Sequence, residues 1–356
     1  MGNAILSRKA SGSFLIATLC VVSLLVVSEA RADGEAVGGF PNWQERVMLE
    51  WTNRARSEPS VEMASCGSSC GDAFCYSPIH PLSWSLEFNR AARFHADEQD
   101  QQGYFAHDSH CTVVSNIDTM YPATCQGQAT CACVGGVSVC NPTCTGPQAR
   151  AALFGGAMTG EIISSAADPV TAFYSFLYEN YQPPVGWVCD FNLSNGHRWL
   201  LLKAEPAVGF GSAGDTVGDF GLGPSPGKIP SGAHYPQQGP TVDFRANWYA
   251  GAGPQSTWLS LDGACVTMTL ERGSVTNGAW HAQASSLPSS CLRYVFEFVD
   301  STGNPVTFPT TGSFGVPNGV GSCPDWDSTR PVSCISNIFS NGFESGNTND
   351  WDSTAP

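Results

Sequence analysis

Two histidines and two glutamates, far apart in the chain, are the residues whose types and settings could do chemistry. His107 closes the phrase Gly103-Tyr104-Phe105-Ala106-His107, and His197 stands between Gly196 and Arg198. Glu161 follows Gly160, and Glu179 follows Phe176-Leu177-Tyr178. Glycine and small neighbours leave an imidazole uncrowded. A neutral imidazole binds a divalent cation well, and a carboxylate can orient the ring or carry a proton. Two imidazoles leave coordination positions open for water or a ligand. The set predicts a polar cleft made by His107, Glu161, Glu179 and His197, with zinc or another divalent cation on His107 and His197. A buried His–Glu pair can equally serve as a structural cross-link through charge-assisted hydrogen bonds, and both readings stand at this point.

Other chemistries leave no such signature. The chain has no Gly-x-Ser-x-Gly phrase, and Gly209 to Gly214 lacks both the dinucleotide-binding glycine spacing and a P-loop lysine. No residue is assigned a catalytic role. His95 has Glu98 three residues on but lies on an apolar stripe, which makes it a satisfied core histidine. His110, beside Cys111, reads as a surface loop residue. His80, His234 and His281 have no acidic or cysteine partner nearby in sequence.

The elements that must position the four residues can be read from spacing. Trp43 to Arg56 predicts a helix, with Val47, Trp51 and Ala55 every fourth residue and Pro59 beyond its end. Ser85 to Gln102 predicts a second, with Phe88, Ala91, Ala92 and His95 on one face and Gly103 as its stop. This leaves His107 on a loop or short strand. Asp168-Pro169 is a capping side chain followed by proline at the first helical position, and that helix ends near Glu179. Ala207 to Gly211 predicts a strand.

In order, these phrases resemble the CAP superfamily, also called the SCP domain, of cysteine-rich secretory proteins, antigen 5 and plant pathogenesis-related 1 proteins. The resemblance rests on Leu49 to Arg56, Pro81-Leu82-Ser83-Trp84, Ala91 to Ala96, Gly103 to His107, Gly160-Glu161, Gly196-His197-Arg198 and Val208-Gly209-Phe210-Gly211. It covers about half the chain. It implies an α+β fold, a three-layer α-β-α domain over residues 40–214, whose central cleft is lined by His107, Glu161, Glu179 and His197. In some members the histidines bind a divalent ion. Ile162 stands where the family usually has asparagine, and Phe176 where tryptophan is usual. Two insertions interrupt the pattern: a cysteine-rich one at residues 111–144, and one from Tyr181 to Asn195.

Composition sets the outer bounds. The chain has 356 residues, room for two domains, and a net charge of −15. That balance argues against nucleic-acid binding and against docking on anionic membranes. Residues 1–32 read as a secretory signal: Arg8 and Lys9, an apolar run from Phe14 to Val27, and the small-x-small site Ala30-Arg31-Ala32. Of the 15 cysteines, Cys20 falls within it; ten of the rest lie between Cys66 and Cys189 and four between Cys265 and Cys334, an even number in each region. This fits disulfides made within domains in an oxidising compartment. In the insertion a zinc knuckle competes with a disulfide-stapled loop.

Residues 215–240, rich in Gly and Pro, predict a linker. Beyond it, short β-type runs over 241–334 predict a small immunoglobulin-like sandwich, with Cys265 and Cys291 positioned to join two strands. Residues 335–356 predict a C-terminal tail like those ending many secreted proteobacterial proteins, with no transmembrane segment. The functional expectation is a secreted bacterial binding module for a small apolar, lipid-like or peptide ligand. One alternative is a metal-assisted extracellular hydrolase with Glu161 as general base. Another is an adhesin or carbohydrate binder led by the β region, in which exposed Trp248, Tyr249 and Trp258 stack on sugars.

Overall fold

The computed structural model describes residues 41–124, 129–136, 144–179, 189–203 and 206–335. The expected signal at 1–32, parts of both expected insertions and the expected tail beyond Ile335 lie outside the described residues. An α-helical N-terminal region precedes a β-rich C-terminal region, an α+β architecture. The helices are α1 (Trp43–Ser57), α2 (Pro59–Glu62), α3 (Leu86–Gln102), α4 (Ile117–Met120), α5 (Pro147–Leu153), α6 (Pro169–Leu177) and α7 (Gly196–Leu202). Among the described residues no helix is long and apolar enough to cross a membrane.

The first sheet has strands β1 (Ser83–Trp84), β2 (Met158–Ser164), β3 (Ala207–Ala213) and β4 (Asp215–Gly221), in the order β1-β3-β4-β2. Helix α3 starts at Ser85, whose side chain accepts from Phe88 N–H, and stops at Gly103 in the left-handed conformation (φ 67°). It presses directly on β3. A Cβ on Gly209 would sit 1.9 Å from Asn89 N, and one on Gly211 2.0 Å from Arg93 N. Glycine at these alternate positions lets helix backbone meet strand backbone. Val208 and Phe210 point the other way, into a core shared with α1, α6 and α7.

The linker expectation fails at its start. Asp215–Gly221 is β4, an inner strand paired with both β3 and β2. Its glycines mark close approaches rather than mobility: a Cβ on Gly218 would meet the Phe210 ring at 2.8 Å, and one on Gly221 would meet Ala157 O at 2.3 Å. Val217 packs under α3 beside Ala92 and Ala96, and Phe220 packs on the opposite side.

The remaining strands are β5 (Gly232–Tyr235), β6 (Thr241–Tyr249), β7 (Ser256–Leu261), β8 (Ala264–Thr267), β9 (Thr269–Ser274), β10 (Asn277–Ser285), β11 (Ser290–Val299), β12 (Pro305–Phe308), β13 (Ser313–Asn318) and β14 (Trp326–Asp327). One sheet runs β5-β6-β10-β9 and the other β14-β13-β11-β7-β8, with β12 also on β11. They enclose one core that includes Trp248, Leu259, Tyr294, Phe296 and Phe314. The run from Cys265 to Leu270 is split at Met268 between the two sheets. Cys265 and Cys291 do not join each other's strands; they bond to Cys334 and Cys323. Trp248 is 1% exposed, with its indole N–H donated to Ala252 O, so it presents no ring to a sugar.

Helix α1 begins with a capping box, Asn42 and Glu45 each accepting from the other's backbone N–H. Every residue in it except Gln44 is buried, many of them charged. The reason is its place between the first sheet and the C-terminal strands. Trp43 donates its indole N–H to His234 O at 2.8 Å, Arg46 pairs with Asp325, and Asn247 donates to Glu50 O at 3.2 Å. Arg54 pairs with Glu62 and stacks on Trp51. For Arg46 and Arg54 the buried charge is tolerated because each has an acid partner.

The chain is cysteine-rich and multiply disulfide-bonded. Cys66–Cys70, Cys75–Cys189 and Cys111–Cys133 staple the N-terminal region. Cys131 and Cys144 are also disulfide-bonded, so the described cysteines of the first insertion belong to a stapled loop rather than a zinc knuckle.

Candidate functional site

The four singled-out residues form two His–Glu pairs. His107 stands four residues beyond the Gly103 stop, and its Nδ1 lies 2.9 Å from Glu161 Oε1 on β2. His197 is the second residue of α7, and its Nδ1 lies 3.3 Å from Glu179 Oε1, just after α6. The other Glu179 oxygen accepts from the backbone N–H of His197 at 3.0 Å, so this carboxylate also fixes where α7 starts. In each pair the imidazole reaches solvent and the carboxylate lies behind it. The side chains of His107 and His197 are 51% and 33% exposed, against 2% and 16% for Glu161 and Glu179.

With the His107 Nδ1–H directed at Glu161, Nε2 of that ring carries the free lone pair. That is the arrangement in which a carboxylate orients a metal-binding histidine. The two rings also feel each other. Burial, then the charge of His107, pushes His197 down to about 4, so it is neutral at physiological pH and able to ligate. Burial raises Glu179.

Among the described residues, the group of three potential ligands within 4.8 Å of one another is a different one: Glu98, Cys111 and Cys133. Its two sulfurs are bonded to each other, so it offers no thiolate while oxidised.

Behind Glu161 lies a buried polar cluster that the sequence reading missed. Arg150, on α5 and 0% exposed, pairs with Glu161 Oε2 and donates to His107 O at 3.1 Å and Ser109 Oγ at 3.0 Å. It therefore holds both the carboxylate and the loop that carries the imidazole. Asp219 faces Glu161 across the β2–β4 pairing and is fully buried. Burial would raise Glu161, but the Arg150 guanidinium, helped by the His107 hydrogen bond, outweighs it and holds the carboxyl well below its usual range. Burial and the Glu161 charge push Asp219 well above its own, so Glu161 is the ionised member and Asp219 the protonated one. His95 is a core histidine as expected, with Nε2 2.8 Å from Ala106 O and Nδ1 3.4 Å from Glu98. His110 stacks on Tyr104 at 3.7 Å.

A lone arginine among the alanines of Pro147–Leu153 was the available signal for Arg150, since an inward-facing cation demands an acid. Asp219 sat in the glycine-rich stretch taken for a linker.

No protein-family model, curated protein or solved structure matches this chain.

Proposed function

We propose that the chain is a secreted bacterial CAP-type protein. In this reading its N-terminal region is a three-layer domain and its C-terminal region an immunoglobulin-like sandwich. The protein acts as an extracellular binding module rather than an enzyme. Its polar centre is His107, Glu161, Glu179 and His197, with a divalent cation such as zinc on the two histidines and a small apolar, lipid-like or peptide ligand beside it. The observation that carries this reading is the pairing itself. Each histidine turns Nδ1 to its own carboxylate, and His107 lies near enough to depress His197. Helices on both sides of the first sheet support the fold, and the disulfides support an oxidising compartment. The reading has only two imidazoles to offer a cation, and the described residues around them include no activated nucleophile, which favours binding over hydrolysis.

The test is a zinc titration followed by thermal unfolding. A cation that binds the native state raises the melting temperature by mass action. The rise is expected at neutral pH and is lost in both His107→Ala and His197→Ala. No zinc-dependent rise in the wild-type protein refutes the metal reading and leaves the pairs as structural cross-links.

A further inference from the structure

A cavity of about 700 Å³ opens between the Ile79-His80 segment and the later turns of α7. It borders β2 at Gly160-Glu161, but neither His107 nor His197 lines it, and the Glu161 side chain is engaged by Arg150 and His107. Its volume is in the range of small-molecule sites. Ile79, Phe191, Trp199 and Leu200 supply apolar wall, and Lys203 and His80 supply the basic side chains. Phe191 is 54% exposed, and its ring meets that of Trp199 edge-on, with centroids 6.5 Å apart. These rings form an aromatic corner open to solvent.

Beneath this wall lies a cation with no acid among the described residues. Arg56 is 0% exposed; its Nε donates to His80 O at 2.9 Å and its Nη1 to Leu201 O at 2.8 Å, so it is clamped to both sides of the cavity. Its Nη2 is buried and has no hydrogen-bond partner among the described residues. None of their carboxylates offsets the burial, which pushes the guanidinium down to about 9. The neighbouring buried arginines Arg46, Arg54, Arg150 and Arg198 all have acids. An unpaired buried cation is costly, and an anion brought near it lowers that cost. Lys203 adds a second positive charge above, held over the Trp199 ring at 4.6 Å with its Nζ donated to Cys189 O at 3.2 Å.

We propose that this cavity is a second binding site, separate from the His–Glu pairs, and that it takes an aromatic monocarboxylate. The acid group lies toward Lys203 and the Arg56 side of the wall, and the planar body lies against Trp199 and Phe191. The net charge of −15 disfavours a multiply charged anion, and the apolar wall requires more than a bare ion.

The test is calorimetric titration of the full chain with 2-naphthoate as probe, against 2-naphthalenemethanol as the neutral isostere, octanoate and inorganic phosphate. One-to-one binding of 2-naphthoate is expected, with the neutral isostere weaker by about tenfold or more. Lys203→Met and Trp199→Ala each weaken binding by about tenfold with an unchanged circular dichroism spectrum. His107→Ala leaves the affinity as it was, which separates this site from the proposed metal site. Absence of binding, equal binding of the alcohol, or equal binding by octanoate or phosphate overturns the proposal. So does unchanged affinity in both cavity variants.

Discussion

Replacing Arg150 by methionine tests the buried cluster behind His107 most directly. Methionine keeps most of the side-chain length in a position that is 0% exposed. It removes the ion pair to Glu161 and the donors to His107 O and Ser109 Oγ. Breaking a buried pair by deleting one partner costs about 3–5 kcal/mol, chiefly because the other charge is stranded. Two lost hydrogen bonds add about 1 kcal/mol each. A loss of about 5–7 kcal/mol at neutral pH is expected, a large share of the stability of an ordinary domain.

The pH dependence fixes the cause. In the wild type the folded-state pKa of Glu161 is depressed, so its contribution is present above the unfolded value near 4.5 and is lost as pH falls below it. Without Arg150, burial dominates and the folded pKa rises above 4.5. The variant then gains relative stability on acidification from neutral pH, where the wild type does not. Urea unfolding at pH 7 and pH 5 measures both effects. Arg150→Met combined with Glu161→Gln should recover roughly half the loss, because no charge is stranded. Equal destabilisation in the single and double variants, at both pH values, would refute the reasoning.

Three further outcomes follow from other parts of the structure. Because the folded-state pKa of His197 is depressed to about 4, stability attributable to it falls as pH drops from about 6.5 towards 4; imidazole NMR should find the ring still neutral at pH 5.5, and a protonated ring there contradicts the burial argument. Glu50, raised by burial to about 7, makes the fold lose stability as pH rises from about 4.5 through 7; Glu50→Gln should flatten that part of the pH–stability curve, and an unchanged curve counts against it. Gly209→Ala should cost about 1–3 kcal/mol or more, because its Cβ would meet the α3 backbone, which cannot turn aside as a side chain can; a wild-type melting temperature would show that α3 is not seated on β3.

Much of the N-terminal region was legible because its signals are local. Asn42, Ser85 and Asp168 cap helices that start where their spacing predicts. The pairing of His107 with Glu161 and of His197 with Glu179 was approached only through phrase order, since nothing local links residues 54 positions apart. Strand β4 was hidden because its glycines looked like a linker, whereas they serve close contact with Phe210 and Ala157. Strand β5 was hidden in the same expected linker; it has four residues and is held by its pairing with β6 rather than by its own pattern. The partners of Cys265 and Cys291 depend on the tertiary path and carry no sequence signature.

Helix α1 gives the protein an order of assembly. Its capping residues and its first-sheet face can be satisfied by nearby segments, but Arg46 waits for Asp325, 279 residues further along the chain. Until β6 and β14 arrive, a helix dense in charge and aromatic surface has one side uncovered. Neither half of the protein can be finished alone: cutting the gene between them leaves the first piece with a stranded Arg46 and the second with an exposed seat for Trp43. The two regions therefore share a fate during synthesis and degradation, and a lesion in the last strands will be felt at the first helix.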